Sequence, residues 1–232
     1  MRALFSLSTF APQLSSSARR CIVKSEKGKT PWTMPFSSVT GVTKCCIGTH
    51  NWRGNELMCS VLTHPVVPIA LSTVFPQDAL SPTVLLVGAA CSVIPDLDVI
   101  GLKFGLRSNH MLGHRGLTHS IAFAAALGAI LTYTFFRSSH PDPWVVCLFL
   151  FVSTLSHALF DMLTNGGQGV ALWAPCSNAR YFFPWRPIEV SPIGVRRFFS
   201  RRGGQIMRSE IRWVWLPSAG IYCLGVMVRR YG

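Results

Sequence analysis

The segment from Thr118 to Phe136 runs for 19 residues without an Asp, Glu, Lys or Arg. A helix needs about 20 predominantly apolar residues to cross the hydrocarbon core of a bilayer, so this segment is almost long enough to span one. Over the whole chain, 49% of residues are hydrophobic and only 13% are charged. This balance argues against a soluble domain, and the sequence predicts a membrane protein.

Apolar segments recur along the chain and suggest several crossings. They cover residues 61–75, 80–94, 118–136, 143–163 and 213–228. The first two are short and contain Pro65, Pro68 and Pro82, so we expect them to be tilted, broken or only partly inserted. The predicted fold is an all-α, polytopic membrane helical bundle with about four to five transmembrane or membrane-embedded helices.

The first 57 residues differ from the rest of the chain, because they are rich in Ser, Thr, Lys and Arg and lack a helical period. We expect them to be disordered. Residues 1–30 have the Arg-rich, Ser-rich composition of an organellar transit peptide. The interpretation we favour is a non-native extension with the true start at Met58, which leaves residues 58–232 as the membrane-embedded domain.

Basic residues are concentrated in two parts of the chain, which holds 22 Lys and Arg against 9 Asp and Glu. Eight lie in residues 1–57, and eight Arg lie in residues 175–212. Arg beside apolar segments marks the cytoplasmic face of a membrane, and we favour this explanation over nucleic-acid binding. Alternating crossings then bring loops 95–117 and 164–212 to that face.

Three polar motifs lie at the ends of apolar segments and share this predicted face. They are Pro95-Asp96-Leu97-Asp98, His114-Arg115-Gly116-Leu117-Thr118-His119-Ser120 and Ser156-His157-Ala158-Leu159-Phe160-Asp161. His157 and Asp161 are four residues apart on a predicted helix, so both side chains project from one face. Ionisable residues in apolar segments are costly and usually functional.

The motifs predict a divalent metal site. The candidate ligands are His64, Asp96, Asp98, His114, His119, His157 and Asp161. A His and carboxylate set without Cys suits Zn²⁺, Mn²⁺ or Fe²⁺, and we favour zinc. Either Asp96 or Asp98 can be the ligand while the other is a second ligand or orients a ligand. For Glu210, beside Arg208 and Arg212, we favour a surface salt bridge.

At these motifs the sequence resembles the YdjM-like family, described as inner-membrane-associated, metal-dependent hydrolases. The matching features are Ile94–Asp98, His114–Ser120 and Leu155–Thr164 followed by Gly167 and Trp173-Ala174-Pro175, with weaker likeness at Thr63-His64 and Ser209–Trp213. The resemblance covers about residues 58–228. It implies a helical, multi-pass protein of the cell inner membrane, distantly similar to zinc phospholipase C and P1-type nucleases.

The leading hypothesis is therefore a membrane-bound metal-dependent hydrolase acting on phosphoester or lipid-linked substrates at the cytoplasmic face, with membrane lipid as its partner. Asp96 or Asp98 would accept a proton, and Arg115 would neutralise charge on the substrate or support His114. The alternative is a divalent-cation transporter or a non-catalytic metal-binding protein. Transport sites tend to lie near the bilayer midplane, so ligands at helix ends favour the hydrolase.

Overall fold

A computed structural model of the chain describes residues 37–39, 42–45, 57–58, 61–138, 140–192 and 201–231. The described residues are mostly helical, as predicted. The helices are α1 (Val66–Leu71), α2 (Pro82–Cys91), α3 (Val99–Lys103), α4 (Ile121–Leu131), α5 (Pro143–Met162), α6 (Arg201–Glu210) and α7 (Leu216–Tyr231). Single π-helical stretches extend α4 through Thr132–Phe136 and join α6 to α7 through Ile211–Trp215.

Five short strands accompany these helices in the described ranges, and the all-α prediction did not include them. They are β1 (Ser37–Val39), β2 (Val42–Cys45), β3 (Leu57–Met58), β4 (Arg180–Phe182) and β5 (Ser191–Pro192). An antiparallel sheet has the order β1-β2-β4, and β3 pairs with β5. The prediction of a disordered extension over residues 1–57 falls mostly outside the described residues, and within it the structure describes β1, β2 and the first residue of β3.

Helices α4 and α5 pack against each other along their lengths. Ser120 begins α4, where its hydroxyl accepts a hydrogen bond from the Phe123 amide (3.0 Å), and Asp142 caps α5 in the same way. The helices approach closely at Gly128, where an added Cβ would lie 3.0 Å from the Phe151 amide nitrogen. Glycine there allows the two backbones to come this near.

An apolar core fills one end of this helix pair and extends to α2. Its buried members are Leu80, Val84, Cys91, Phe136, Val146, Phe149 and Leu150. A side chain at Gly88 would overlap the Phe149 ring, so α2 also lies close to α5. At the other end of the bundle, the His157 ring on α5 reaches the carbonyl of Ser92, just after α2. The ends of α2 and α5 therefore meet where α4 begins.

By length and composition, two or three of the described helices qualify as membrane spans, so the predicted count of four to five is not confirmed. Two are long and apolar enough to cross a bilayer, Pro143–Met162 and Gly203–Tyr231, and a third is possible if α2 and Ile94–Gly101 form one span bent by 41°. The first apolar segment forms only the six residues of α1 and a 3₁₀ turn at Ser72–Val74. At 1.5 Å per residue, α1 is far too short to cross about 30 Å of hydrocarbon.

Candidate metal centre

The seven predicted ligands lie together at the end of the bundle where α2 and α5 end and α4 begins. His157 and Asp161 are fully buried, and Asp96 keeps 7% of its surface exposed. His64 stacks on the His157 ring with centroids 3.8 Å apart. The remaining members are Asp98, His114 and His119, whose side chains are also buried. The structure thus brings together every residue that the sequence proposed as a ligand.

Local backbone geometry aims these side chains. His157 and Asp161 lie one turn apart on α5, on one face, as their spacing predicts. Asp96 and Asp98 lie on a 3₁₀ turn, Ile94–Asp98, whose second residue is Pro95. With about three residues per turn, side chains two positions apart project in different directions. Asp96 therefore faces His157, whereas Asp98 faces the loop that carries the other two histidines.

Four atoms converge at the centre of the group. The Nε2 atoms of His119 and His157 are 3.1 Å apart. Asp96 Oδ1 lies 3.3 Å from the His157 Nε2, and Asp161 Oδ2 lies 3.3 Å from the His119 Nε2. One ligand atom from each of these four residues falls within 4.8 Å of the others. This spacing is compatible with a single shared cation.

The tautomers of the two central histidines show why a cation fits. His157 Nδ1 lies 2.8 Å from the Ser92 carbonyl oxygen, which only accepts, so Nδ1 carries the hydrogen and Nε2 presents a lone pair. His119 Nδ1 faces Asp98 Oδ2 at 3.2 Å, with the same consequence. With both imidazoles neutral, two lone pairs face each other beside Asp96, whose carboxylate oxygens have no hydrogen-bond donor among the described residues. Such buried acceptors are costly unless a cation lies between them.

The net charge of the cluster also favours a bound cation. Three carboxylates and one guanidinium, that of Arg115, leave two negative charges uncompensated, which equals the charge of one divalent cation. Burial lowers the pKa of His64 to about 3, so its imidazole is neutral. Burial also disfavours a charged His119, but Asp161 and Asp98 on its two sides outweigh it and raise its pKa to about 9. A proton on His119 can thus offset part of the excess when no metal is bound.

Arg115 orients Asp161. Its Nη2 donates to Asp161 Oδ1 (2.9 Å), its Nε lies 2.9 Å from Oδ2, and its Nη1 donates to the Gly166 carbonyl (3.0 Å). The residue has a φ of 60°, a left-handed conformation uncommon outside glycine. Its backbone amide donates to Asp98 Oδ2 (3.1 Å), which helps to hold that conformation. The guanidinium is therefore engaged by the protein, and its role toward a substrate stays a prediction.

Arg180 is a residue whose role near the site the sequence did not indicate. It is fully buried, and its guanidinium donates to the carbonyls of Ser108 (2.6 Å) and His114 (2.9 Å). It also donates to the carbonyls of His110, Arg115 and Gly169. In the sequence it is one of eight Arg in a basic stretch, and no spacing distinguishes it. Arg180 holds the loop that carries His114 and Arg115.

Glu210 corrects the sequence analysis, which favoured a surface salt bridge there. The residue is fully buried, and its Oε2 accepts a hydrogen bond from the Thr63 hydroxyl (2.6 Å). Trp215 Nε1 donates to the same hydroxyl (3.1 Å). Thr63 precedes His64, so these bonds connect the C-terminal helix to the edge of the metal centre. In the sequence, the only feature that indicates a buried Glu210 is the apolar segment that follows it.

Comparisons with known proteins agree with a membrane location. The model of the YdjM inner membrane protein family matches residues 58–232, a range that includes all seven candidate ligands. Over 173 residues the chain is 37% identical to the inner membrane protein YbcI of Escherichia coli (strain K12), covering 73% of this chain and 97% of that protein. No solved structure matches the chain. Neither name states a catalytic activity.

Proposed function

The chain belongs to the YdjM inner membrane protein family, and from that premise we propose that it is a metal-dependent hydrolase of the inner membrane. Its cation would be held by Asp96, His119, His157 and Asp161. The observation that carries this proposal is the 3.1 Å approach of two imidazole nitrogens, each beside a carboxylate oxygen. His64 lies next to this set, with its Nε2 4.0 Å from Asp96 Oδ2.

The donor set favours zinc. Two imidazoles and two carboxylates supply four ligands, the number that Zn²⁺ takes in most protein sites. The same donors are also suitable for manganese and iron. Ser92 supports the proposal, because its carbonyl oxygen accepts from the outer nitrogen of His157 and so fixes the tautomer of that histidine.

The proposed reaction uses Asp96 as the proton acceptor. When bound, the divalent ion supplies Lewis acidity toward an oxygen of water or substrate. The Asp96 carboxylate has no hydrogen-bond donor among the described side chains, so the oxygen that does not hold the ion would take the proton from water and pass it to the leaving oxygen. Asp98 is less suited, because donors occupy both of its oxygens. Arg115 would position Asp161.

A groove beside the centre supports a lipid-linked substrate. It has a volume of about 400 Å³ and an apolar lining of Pro65, Ala89, Ala90, Val93, Ile94 and Leu97. Pro65 follows His64 in the chain, and Ile94 and Leu97 lie on either side of Asp96. An acyl chain in this groove would bring its phosphoester headgroup to the cation. Membrane lipid is then both the surroundings and the source of the substrate.

The proposal includes a multi-pass arrangement with the centre at the cytoplasmic face. In it, α2 and α4 insert beside α5 and the C-terminal helix, which gives four membrane-embedded helices. The support is the apolar character of α2 and α4 and their packing against α5. The Arg-rich stretch 175–212 supports the cytoplasmic assignment through the excess of basic residues in cytoplasmic loops.

The burial of the centre favours the second candidate, a non-catalytic metal site or a cation transporter. Catalytic zinc sites keep a position open to water, whereas structural sites are closed. His157 and Asp161 are fully buried here. The two candidates differ in whether substrate turnover accompanies metal binding.

The test is to purify the chain from membranes, measure bound metal and assay phosphomonoesters, phosphodiesters and phospholipids, alongside His157→Ala and Asp161→Ala. We expect metal in the wild type, its loss in both variants, and turnover that disappears with it. Asp142→Asn, at the opposite end of α5, is the control and should retain metal. Metal without turnover of any substrate would support the second candidate. Normal metal content in both variants would refute the centre.

A further inference from the structure

Asp98 has the most completely satisfied side chain of the candidate ligands. Its Oδ1 lies 2.7 Å from His114 Nδ1. Its Oδ2 accepts from the Thr118 hydroxyl (2.7 Å) and the Arg115 amide (3.1 Å), and it lies 3.2 Å from His119 Nδ1. Because both oxygens already face donors, a cation at Asp98 would displace several of these bonds.

Asp96 is the opposite case, although it is only two residues away. Its two oxygens have no donor among the described residues, and Oδ1 faces the lone pair of His157 Nε2. Hydrogen bonds thus account for both oxygens of Asp98 and for neither oxygen of Asp96. This difference favours a cation at Asp96 over one at Asp98.

We propose that Asp98 is a positioning residue that holds the Nδ1 hydrogen of His119, and that the centre takes one ion. This inference rests on the proposed metal site. His119 then connects two different environments, with Nε2 toward the ion and Nδ1 toward Asp98. Asp98, His114 and His119 lie close enough together to form a second metal site, but they form a hydrogen-bonded support for the first.

The arrangement predicts distinct effects for the two carboxylates. A carboxylate that accepts from a ligating histidine fixes its tautomer and ring orientation, and removing it typically lowers metal affinity by about 10–100-fold. Removing a direct ligand from a four-ligand site is expected to be more severe. Asp98→Asn should therefore weaken binding of the ion without changing how many ions bind, whereas Asp96→Asn should remove the ion.

The experiment measures the stoichiometry and affinity of Zn²⁺ and Co²⁺ for the full chain in detergent, for the wild type, Asp98→Asn, Asp96→Asn and the distant control Asp142→Asn. We expect one ion in the wild type and the control, one ion bound about 10–100-fold more weakly in Asp98→Asn, and none in Asp96→Asn at concentrations that saturate the wild type. Because ligand number and type are unchanged in Asp98→Asn, its Co²⁺ absorption spectrum should keep the wild-type shape. Thermal unfolding confirms that each variant is folded.

The outcomes separate the two proposals. Two ions in the wild type and one in folded Asp98→Asn would overturn the role given to Asp98 and leave the metal centre intact. An altered Co²⁺ spectrum in Asp98→Asn, or wild-type affinity, would also overturn that role. Absence of any ion from the wild type would instead overturn the metal centre itself. His114→Gln is a second variant, and a single ion in it would support the one-ion centre.

Discussion

The two ends of the α4–α5 pair are buried to the same extent and are chemically opposite. At one end, Phe136, Val146 and Phe149 are at most 5% exposed and pack in an apolar core. At the other, His157 and Asp161 are fully buried and belong to a cluster of ionisable groups. One continuous 20-residue helix, α5, contributes to both ends.

The contrast separates the buried groups that stabilise this fold from the buried groups that reduce its stability. Burial of apolar side chains lowers the free energy of the folded state, whereas burial of charged groups raises it unless partners compensate. The polar end has an imperfect set of partners, because the Asp96 carboxylate has no hydrogen-bond donor among the described residues. The packing of the apolar end and the ion pair between Arg115 and Asp161 therefore have to offset this cost. We expect the largest losses in the free energy of unfolding when either of them is removed.

The largest effect on stability is expected from Arg115→Met. This change removes both nitrogen contacts to Asp161 and leaves a buried carboxylate without its ion pair. We expect a loss of about 4 kcal/mol in the free energy of unfolding, measured by denaturant titration in detergent micelles, because breaking a buried pair costs about 3–5 kcal/mol.

The matched control is Arg107→Met, since Arg107 is exposed at the start of the same loop. It should change the unfolding free energy by less than about 0.5 kcal/mol. Saturating Zn²⁺ should restore part of the loss in Arg115→Met, because the ion offsets the unpaired charge. Equal stability of the two variants would mean that Arg115 does not hold the polar end.

The next largest effect is expected at the apolar end, from Phe149→Ala. The ring is buried between α2 and α5, so its loss leaves a cavity and should cost about 3 kcal/mol. Metal content should stay at the wild-type level, because the ring lies about two turns of helix from His157. Phe135→Ala is the control, since Phe135 is 68% exposed. Loss of metal from folded Phe149→Ala would show that the two ends are not separable.

The sequence predicted those features of the two ends that depend on local hydropathy and residue spacing. The length and hydropathy of residues 143–163 correspond to α5, and the four-residue spacing of His157 and Asp161 correctly places them on one face. The apolar segment 61–75 contains Pro65 and Pro68 and was expected to be tilted, broken or only partly inserted, and it folds as a short helix and a 3₁₀ turn. Hydropathy alone measures how apolar a segment is and does not report how far it extends.

Tertiary contacts set the features that the sequence could not predict. Asp96 and Asp98 have equivalent positions in the motif, and only the 3₁₀ turn separates their directions. Arg180 and Glu210 are buried by partners 66 and 147 residues away in the chain. A charged residue in a basic or interfacial stretch looks the same in sequence whether it faces solvent or the interior.

A smaller effect is expected at the midpoint between the two ends, from Gly128→Ala. The new Cβ would lie 3.0 Å from the Phe151 amide nitrogen and 3.1 Å from the Cys147 carbonyl oxygen, so α4 and α5 would have to separate by a few tenths of an ångström. We expect a loss of about 1–2 kcal/mol in the free energy of unfolding. In Gly220→Ala, the control, the added methyl meets no atom within 4 Å, and alanine should stabilise α7 by up to about 1 kcal/mol.

The smallest effects on the free energy of unfolding are expected from removing two helix caps, one at each end of the bundle. Ser120 caps α4 beside His119 with a 3.0 Å bond from the Phe123 amide, whereas Ser81 caps α2 at the apolar end with a longer, 3.4 Å bond from the Val84 amide. Substitution by alanine should cost about 1 kcal/mol at Ser120 and about 0.5 kcal/mol at Ser81 in thermal or denaturant unfolding. Only Ser120→Ala should also lower Zn²⁺ affinity, since its loss frees the turn that carries His119. Equal affinity in the two variants would mean that Asp98 and Thr118 are sufficient to hold His119, and that the polar end depends on its hydrogen bonds alone and not on the start of α4.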